Sequence, residues 1–370
     1  MTQTIGSPRN YEDLKRSNTL NKVRKKPPQL SKLKTSPKPN LLITTEAVDQ
    51  DSIQALSKYA RVFSSAGLDE ASLARLLPSV DGLLVFFWPS FLSPENLSRM
   101  SHLRFIQSIL AGVNHIPFAQ LTKKVRVCSN AGAYSDEVAE YAWSLLLSAA
   151  KRVVDFHNAV KSEQWTLRRM LGGKEVTILG DKTLGILGYG GIGSAVARIG
   201  KGFSMKIYAF SRKPVREKGV RSFQGDKGLL TVLAESDAVI ASLPLTKFTD
   251  KIIGADKLAT MKKDAILVNI ARGELVDETA LYEHLKSNPD FRYATDVWWY
   301  REGKESLKTT HPFFEVPNFI GTPHVSGPSG LATGKPVKFA VENVIRFLRG
   351  LKPRNIVNPA EYLATDRQEY

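Results

Sequence analysis

The sequence has few of the features that mark secreted or membrane-bound proteins. Its 370 residues include a single cysteine, Cys128, which excludes an internal disulfide and favours a reducing compartment. No apolar run approaches the ~18 residues of a membrane span, and the N-terminus lacks the apolar core of a secretory signal. We therefore predict a cytoplasmic protein with no membrane partner, in which Cys128 is a small buried side chain.

Acidic residues are too few to balance the basic ones, and the formal net charge is +16. Residues 1–38 hold ten Lys and Arg against two acidic residues, a net charge of +8. This segment is also rich in Pro, Ser, Asn and Thr, and we interpret it as a disordered, solvated basic arm. Contact with nucleic acid or an anionic surface is a less favoured alternative, as is a basic organellar targeting peptide.

From residue 39 onward, short apolar runs alternate with helical patterns. "NLLITTEAV" and "GLLVFFWP" are typical of buried strands, and residues 135–156 and 333–350 of long amphipathic helices. From residue 174 the strands and helices alternate regularly. Together with the chain length, this predicts a two-domain α/β protein with parallel sheets covered by helices on both faces.

A glycine-rich turn follows the predicted strand "TLGIL" and opens a helix. In "GYGGIG", Gly188 permits the tight turn, Gly190 lets the backbone approach a pyrophosphate, and Gly193 lets helix and strand pack closely. The N-terminus of the helix then offers N–H groups to the anion. The alternative is an ordinary strand–helix turn. The candidate cofactor contacts of this loop are Gly188, Tyr189, Gly190, Gly191, Ile192 and Gly193.

Acidic residues are absent between Asp181 and Glu217, where NAD-binding chains place an acid on the ribose 2′-hydroxyl. Ser211 lies at the expected strand end, with Arg212 and Lys213 beside it. A hydroxyl and a guanidinium suit a 2′-phosphate, which an acid would repel. We therefore predict NADP(H) as the preferred cofactor. A solvated loop in a protein that uses NAD(H) is the alternative.

Several segments in order resemble the D-isomer-specific 2-hydroxyacid dehydrogenase family. They are "SNAGAYSDEVAEYAW" (129–143), "LGYGGIG" (187–193), "SDAVIASLPLT" (236–246), "ILVNIARGELVDETAL" (266–281), "YATDVWW" (293–299) and "FIGTPHVSG" (319–327). The resemblance covers residues 40–350. It implies a doubly wound Rossmann cofactor domain (136–325) inserted into a smaller flavodoxin-like catalytic domain (39–135 plus 326–360), and a homodimer.

The resemblance assigns catalytic roles to three residues. Arg272 would bind the carboxylate of the substrate, and His324 would be the general acid and base. The family usually has a Glu five residues after the aspartate that matches Asp296, where it supports the histidine. That position is Arg301 here, so we predict that Glu302 takes the role. Glu305 follows in the same stretch.

The resemblance also implies cofactor and substrate contacts elsewhere. Asp296 would lie near the nicotinamide carboxamide. Further cofactor contacts are expected from Leu243, Pro244, Thr246, Thr249, Ile270, Ala271, Arg272 and His324. Substrate contacts are expected from Arg272 and from two loops of the first domain, Trp88, Pro89 and Ser90 in one and Ala111 and Gly112 in the other.

The predicted function is hydride transfer between NADP(H) and a small 2-keto or 2-hydroxy acid of D configuration, such as glyoxylate or hydroxypyruvate. No metal is expected. A phosphoglycerate-type dehydrogenase is one alternative, and a dinucleotide-sensing binding protein similar to the corepressors of this family is another. Formate oxidation is disfavoured because the glutamine typical of formate dehydrogenases is absent near Arg301.

Overall fold

Two parallel β-sheets, built from successive parts of the chain, organise the structure. It is a computed structural model that describes residues 37–165, 176–327 and 334–362, so the predicted basic arm lies outside the described residues except for its last two. The helices are α1 (Gln50–Ser57), α2 (Glu70–Leu76), α3 (Pro94–Arg99), α4 (Ser135–Lys151), α5 (Val153–Lys161), α6 (Gly191–Gly202), α7 (Gly225–Glu235), α8 (Ala255–Thr260), α9 (Glu278–Ser287) and α10 (Lys335–Leu348). Short 3-10 helices occur at Ser65–Gly67, Leu77–Ser79, Phe118–Gln120, Gly273–Leu275, Phe313–Glu315 and Pro359–Glu361.

The first sheet has the strand order β2-β1-β3-β4-β5. Its strands are β1 (Asn40–Ile43), β2 (Arg61–Ser64), β3 (Val80–Val85), β4 (Phe105–Ser108) and β5 (Arg126–Cys128). All neighbours pair in parallel, which is the flavodoxin-like order. β1 and β4 are fully buried, because helices cover both faces and leave no face for polar side chains.

The second sheet has the order β14-β11-β10-β9-β6-β7-β8, also parallel throughout. Its strands are β6 (Thr183–Leu187), β7 (Lys206–Phe210), β8 (Val220–Phe223), β9 (Ala238–Ala241), β10 (Ile266–Asn269), β11 (Arg292–Thr295) and β14 (Phe319–Gly321). The strand order reverses between β6 and β9, which creates a crevice at their carboxyl ends. The predicted two-domain α/β fold with a Rossmann domain is confirmed.

A small antiparallel hairpin interrupts the second sheet's regular alternation. It consists of β12 (Tyr300–Arg301) and β13 (Lys304–Glu305), and Tyr300 pairs with Glu305 across it. Arg301 forms an ion pair with Glu278 at the start of α9 and donates to Thr310 Oγ1 at 2.7 Å. These contacts fasten the hairpin to the side of the domain.

The long helix predicted at residues 135–156 is two helices, and this part of the prediction is wrong. Arg152 has φ 52° and ends α4 before α5 begins. The last carbonyls of α4 have partners outside the helix: Ala149 O accepts from Arg292 Nη1 at 2.8 Å, and Ala150 O accepts from Thr177 N at 2.8 Å. Because these acceptors are satisfied, the chain can turn at Arg152.

The chain returns to the first sheet near its end. α10 corresponds to the helix predicted at residues 333–350, and its buried face packs on the core beneath β1 and β4. The following stretch, residues 351–362, is called here the C-terminal segment. Ile356 pairs antiparallel with Cys128, and Val357 N donates to Val127 O at 3.0 Å. Lys38 onward forms one contact unit, so the predicted boundaries at 135 and 325 stay predictions.

Candidate active site

A pocket of about 750 Å³ lies where the carboxyl ends of the strands of both sheets meet. The loops after β4 and β5 line it from one side, and those after β6, β7, β9, β10 and β14 from the other. The C-terminal segment also contributes to the lining. Among the described helices, none has the length and apolar character needed to cross a membrane, and the cytoplasmic location stays a prediction.

The glycine turn shapes one wall of the pocket. Gly188 has φ 99°, and a Cβ there would lie 2.8 Å from Ser242 O. A Cβ at Gly193 would lie 2.1 Å from Gly188 O, so both positions require glycine. By contrast, a Cβ at Gly190 would meet nothing within 4 Å. The backbone above the N-terminus of α6 is therefore open to the pocket, and this cradle fits the pyrophosphate of a dinucleotide.

The loop after β7 carries the predicted cationic pair. Ser211 Oγ donates to Lys213 O at 2.5 Å. Arg212 Nη1 forms an ion pair at 2.8 Å with Oε2 of Glu361, which belongs to the C-terminal segment. The Arg212 side chain is 80% exposed and that of Glu361 is 24% exposed. The guanidinium therefore faces solvent at the mouth of the pocket, with a carboxylate of the same chain beside it.

The glycine turn and the loop after β7 are tied together. Tyr189 Oη donates to Glu217 Oε2 at 2.7 Å, and Lys201 Nζ donates to Glu217 Oε1 at 2.6 Å. The hydrogen bond from Lys201, followed by that from Tyr189, lowers the pKa of Glu217. Burial and then the Glu217 carboxylate raise the pKa of Tyr189. Tyr189 thus stays a neutral hydrogen-bond donor that links the glycine turn to the loop after β7.

Arg272 follows β10 and enters the pocket from the second sheet. Asn269, which is fully buried, accepts from Ala271 N at 3.1 Å and donates to Arg272 O at 2.8 Å. These two hydrogen bonds shape the turn that presents Arg272. The guanidinium lies against Gly112 of the first sheet, because a Cβ at Gly112 would be only 2.0 Å from Nη2. Gly112 therefore contributes to the site because its missing side chain leaves room for the Arg272 guanidinium.

His324 lines the pocket from the loop after β14, and its carboxylate partner is Glu305. Nδ1 of His324 and Oε2 of Glu305 lie 2.5 Å apart, with the side chains 20% and 12% exposed. A carboxylate only accepts, so Nδ1 carries the proton. Oε1 of Glu305 accepts from Trp298 N.

The prediction that Glu302 supports His324 is wrong. Glu302 is exposed at the turn of the β12–β13 hairpin, with φ 52°. The hairpin reverses the chain after Arg301, so the residue that faces back toward His324 lies on the second strand. Counting five positions after Asp296 ends on strand β12 at Arg301, and counting six ends on the exposed turn.

Asp296 lies behind His324. The carboxylate is fully buried and accepts from Thr322 Oγ1 at 2.5 Å, from Val325 N at 3.0 Å and from Ser326 N at 2.6 Å. His324 has φ 52°, a left-handed conformation that is uncommon for residues other than glycine. The hydrogen bonds of Asp296 on both sides of His324 hold the loop in this conformation. The contact of Asp296 with the nicotinamide carboxamide stays a prediction.

The structure brings most of the predicted site residues into the lining of this one pocket. They are Ala111, Gly112, Gly188, Tyr189, Gly190, Gly191, Ile192, Gly193, Ser211, Arg212, Lys213, Leu243, Pro244, Thr246, Ile270, Ala271, Arg272 and His324.

Other predicted site residues are not part of the described lining. They are Trp88, Pro89, Ser90, Thr249, Asp296 and Glu302. Trp88 Nε1 donates to Leu92 O at 3.2 Å and so turns into its own loop. Thr249 Oγ1 donates to Pro244 O at 2.6 Å and supports the loop after β9 from behind.

The C-terminal segment is the part of the pocket that sequence reasoning missed. Asn355, Ile356, Val357, Asn358, Glu361 and Tyr362 all contribute to the lining. The stretch "NIVNPAEYL" carries no nucleotide-binding pattern. Its place follows from the pairing of Ile356 with Cys128 and from the bond that Lys247 N donates to Glu361 O at 2.9 Å.

Comparisons with known proteins agree with this arrangement. The family described as D-isomer specific 2-hydroxyacid dehydrogenase, NAD binding domain, matches residues 143–326. The chain is 36% identical over 268 residues to a glyoxylate reductase of Aeropyrum pernix, covering 71% of this chain and 78% of that protein. It is 30% identical over 321 residues to a D-3-phosphoglycerate dehydrogenase of Methanocaldococcus jannaschii, covering 86% of this chain and 59% of that protein. A solved D-isomer specific 2-hydroxyacid dehydrogenase from Xanthobacter autotrophicus, in complex with NADPH and MES, aligns with a TM-score of 0.70 at 25% identity, over 88% of this chain and 99% of that one.

Proposed function

Because the chain belongs to the D-isomer-specific 2-hydroxyacid dehydrogenases, NAD(P)-dependent oxidoreductases that act on CH–OH groups, we propose that it reduces a small 2-keto acid to the D-2-hydroxy acid. Glyoxylate and hydroxypyruvate are the leading substrates. The observation that carries the proposal is the single pocket shared by the open glycine cradle, Arg272 and His324. The glyoxylate reductase of Aeropyrum pernix supports the choice of substrate class.

Each side chain has a role that follows from its chemistry. Arg272 would bind the substrate carboxylate through its planar guanidinium, which matches a carboxylate in a two-point contact. A reduced nicotinamide, when bound, supplies the hydride. His324 would donate a proton from Nε2 to the oxygen that becomes the hydroxyl group. Glu305 would stabilise the protonated imidazole, and its carboxylate would accept the hydrogen bond from Nδ1 of His324. In the oxidative direction, the same imidazole would accept the proton.

We further propose NADP(H) as the preferred cofactor, with NAD(H) as an alternative. The support is the missing acid after β7 together with Arg212 and Lys213 at the pocket mouth. The NADPH complex of the Xanthobacter autotrophicus protein is in line with this choice. The segments 39–135 plus 326–360 and 136–325 would be the substrate and cofactor domains, and closure of the pocket between them would exclude water during transfer.

A homodimer is also proposed. α5 and the residues that flank it expose large apolar side chains, among them Val160 at 63% and Trp165 at 82%. An apolar surface of this kind is typical of a protein interface. Light scattering of the purified protein measures its mass directly. Val160→Asp would shift a dimer toward the monomer if this surface forms the interface.

The decisive experiment measures turnover of a panel of 2-keto acids with NADPH and with NADH. We expect the highest kcat/KM with glyoxylate or hydroxypyruvate. Arg272→Ala should lower it by roughly 100-fold, because a charge-assisted hydrogen bond contributes up to about 3 kcal/mol. Arg104→Ala, which removes an arginine at 60% exposure on the first sheet, is the control and should leave turnover unchanged.

A phosphoglycerate-type dehydrogenase is the second candidate, because the Methanocaldococcus jannaschii relative carries that name. The chain covers 59% of that protein's length. Including 3-phosphohydroxypyruvate in the panel separates the two candidates. Tight dinucleotide binding without turnover of any keto acid would instead favour a dinucleotide-sensing protein.

A further inference from the structure

The C-terminal segment places a carboxylate at the cationic corner of the pocket. Glu361 ends the 3-10 helix Pro359–Glu361, and Asn358 Oδ1 accepts from Ala360 N at 3.2 Å to cap it. Lys247 N donates to Glu361 O at 2.9 Å, and the ring of Tyr362 stacks on Phe118 at 4.8 Å. The backbone of Glu361 is therefore fixed from both sides, and Asn358 Nδ2 also donates to the side-chain Oε1 of Glu361 at 3.4 Å.

Among the described residues that line the pocket, Glu361 is the one acidic side chain. Its Oε2 lies 2.8 Å from Arg212 Nη1. The strand end after β7, where an acid would bind a ribose 2′-hydroxyl, has Ser211 instead. The carboxylate missing from β7 is thus supplied from a distant part of the chain, to the same corner.

We propose that Glu361 is a specificity-determining residue that lowers the preference of this enzyme for NADP(H) over NAD(H). A 2′-phosphate needs the Arg212 guanidinium, for which the Glu361 carboxylate competes through the ion pair. A 2′-hydroxyl can donate to that carboxylate and leaves the ion pair in place. The inference rests on the proposed function only in that the pocket binds a nicotinamide dinucleotide.

The ion pair is weak enough to be exchanged. Arg212 is 80% exposed, and ion pairs that involve exposed side chains contribute little to stability. A doubly charged phosphate can therefore displace Glu361. The result is an enzyme that accepts both dinucleotides, with a ratio set by a residue outside the nucleotide-binding motif.

The experiment compares adenosine 2′,5′-bisphosphate with adenosine 5′-phosphate by titration calorimetry on the full-length protein, because the two probes differ only in the 2′-phosphate. Glu361→Gln should tighten the bisphosphate by roughly five-fold, the ratio that an exposed ion pair of ~1 kcal/mol sets. The affinity for the 5′-phosphate should stay equal or fall. Glu342→Gln, which changes a carboxylate at 65% exposure on α10, is the matched control.

The Arg212→Gln variant tests whether the effect of Glu361 on the bisphosphate depends on the Arg212 guanidinium. With Arg212→Gln, the bisphosphate should bind more weakly, and adding Glu361→Gln should then restore little. Glu361→Ala repeats the comparison if the glutamine variant folds poorly. An unchanged ratio of the two affinities in Glu361→Gln and Glu361→Ala overturns the inference, as does a five-fold gain that persists undiminished in Arg212→Gln.

The failure of the proposed function gives a different result. A protein that binds both probes and both dinucleotides but reduces no keto acid refutes the proposed reaction, while the ratio of affinities still tests Glu361. A protein that binds neither probe nor dinucleotide refutes both.

Discussion

Replacing Glu305 by glutamine should slow keto-acid reduction without unfolding the protein. Oε2 of Glu305 lies 2.5 Å from Nδ1 of His324, and the two side chains are 12% and 20% exposed. Glutamine keeps an acceptor for Trp298 N but removes the negative charge. Hydrogen bonds to charged groups contribute about 1.5–3 kcal/mol, so kcat/KM should fall roughly 10- to 150-fold.

The division of the loss between kcat and KM gives the sharper readout. Glu305 is hydrogen-bonded to His324, which would deliver the proton, so the loss in Glu305→Gln should fall on kcat. KM should change little because Arg272, which would bind the substrate carboxylate, is untouched. Steady-state kinetics with the best keto acid measure both constants.

Glu302→Gln is the matched control, since Glu302 is exposed on the turn of the same hairpin. It should behave as the unmodified enzyme. A loss in Glu302→Gln that Glu305→Gln does not share would contradict the role of Glu305, and so would a loss in Glu305→Gln that falls on KM alone.

Three further changes test other parts of the structure. Gly112→Ala would place a Cβ 2.0 Å from Nη2 of Arg272. Displacement of the guanidinium should lower kcat/KM roughly 100-fold. Gly67→Ala is the control and should have no effect, because a Cβ at Gly67 would meet no atom within 4 Å. Burial raises the pKa of Cys128 to about 12, so Ellman's reagent should label it in urea and not in the native protein; rapid native labelling would contradict its burial. The hydrogen bond from the backbone at the start of α9 lowers the pKa of Asp277. Asp277→Ala should therefore lower the free energy of unfolding in urea by about 1 kcal/mol near neutral pH. This loss of stability should be present above the unfolded-state pKa of Asp277 and vanish as the pH falls through the lower folded-state pKa. A difference that persists in acid would contradict the assigned cap.

The strands and turns of the two sheets were predictable because local pattern decides them. Continuous apolar runs such as Leu41–Ile43 can only be buried on both faces, and the glycines of Gly188–Gly193 mark one tight turn. Residues after such strands meet at one edge of a parallel sheet. Ser211, Arg272 and His324 could therefore be assigned to one pocket without coordinates.

Features that depend on distant contacts were not predictable. The polar stretch from Tyr300 to Glu305 has no alternation that indicates a hairpin, so the choice between Glu302 and Glu305 was open until the register was known. Likewise, Arg152 breaks a helical pattern because of carbonyl partners far along the chain. The role of Glu361 depends on pairing between Ile356 and Cys128, which no local signal encodes.

The return of α10 and the C-terminal segment to the first sheet has a consequence for biosynthesis. On the ribosome, residues 40–128 emerge early, but Val337, Ala340 and Val344 complete their core and come out only after the whole second sheet. Until α10 is synthesised, the apolar face of the first sheet that α10 covers stays exposed, a state in which nascent chains are prone to aggregate. We therefore expect truncations that stop before residue 335 to need a chaperone to remain in solution, whereas the second sheet can acquire its structure while translation continues.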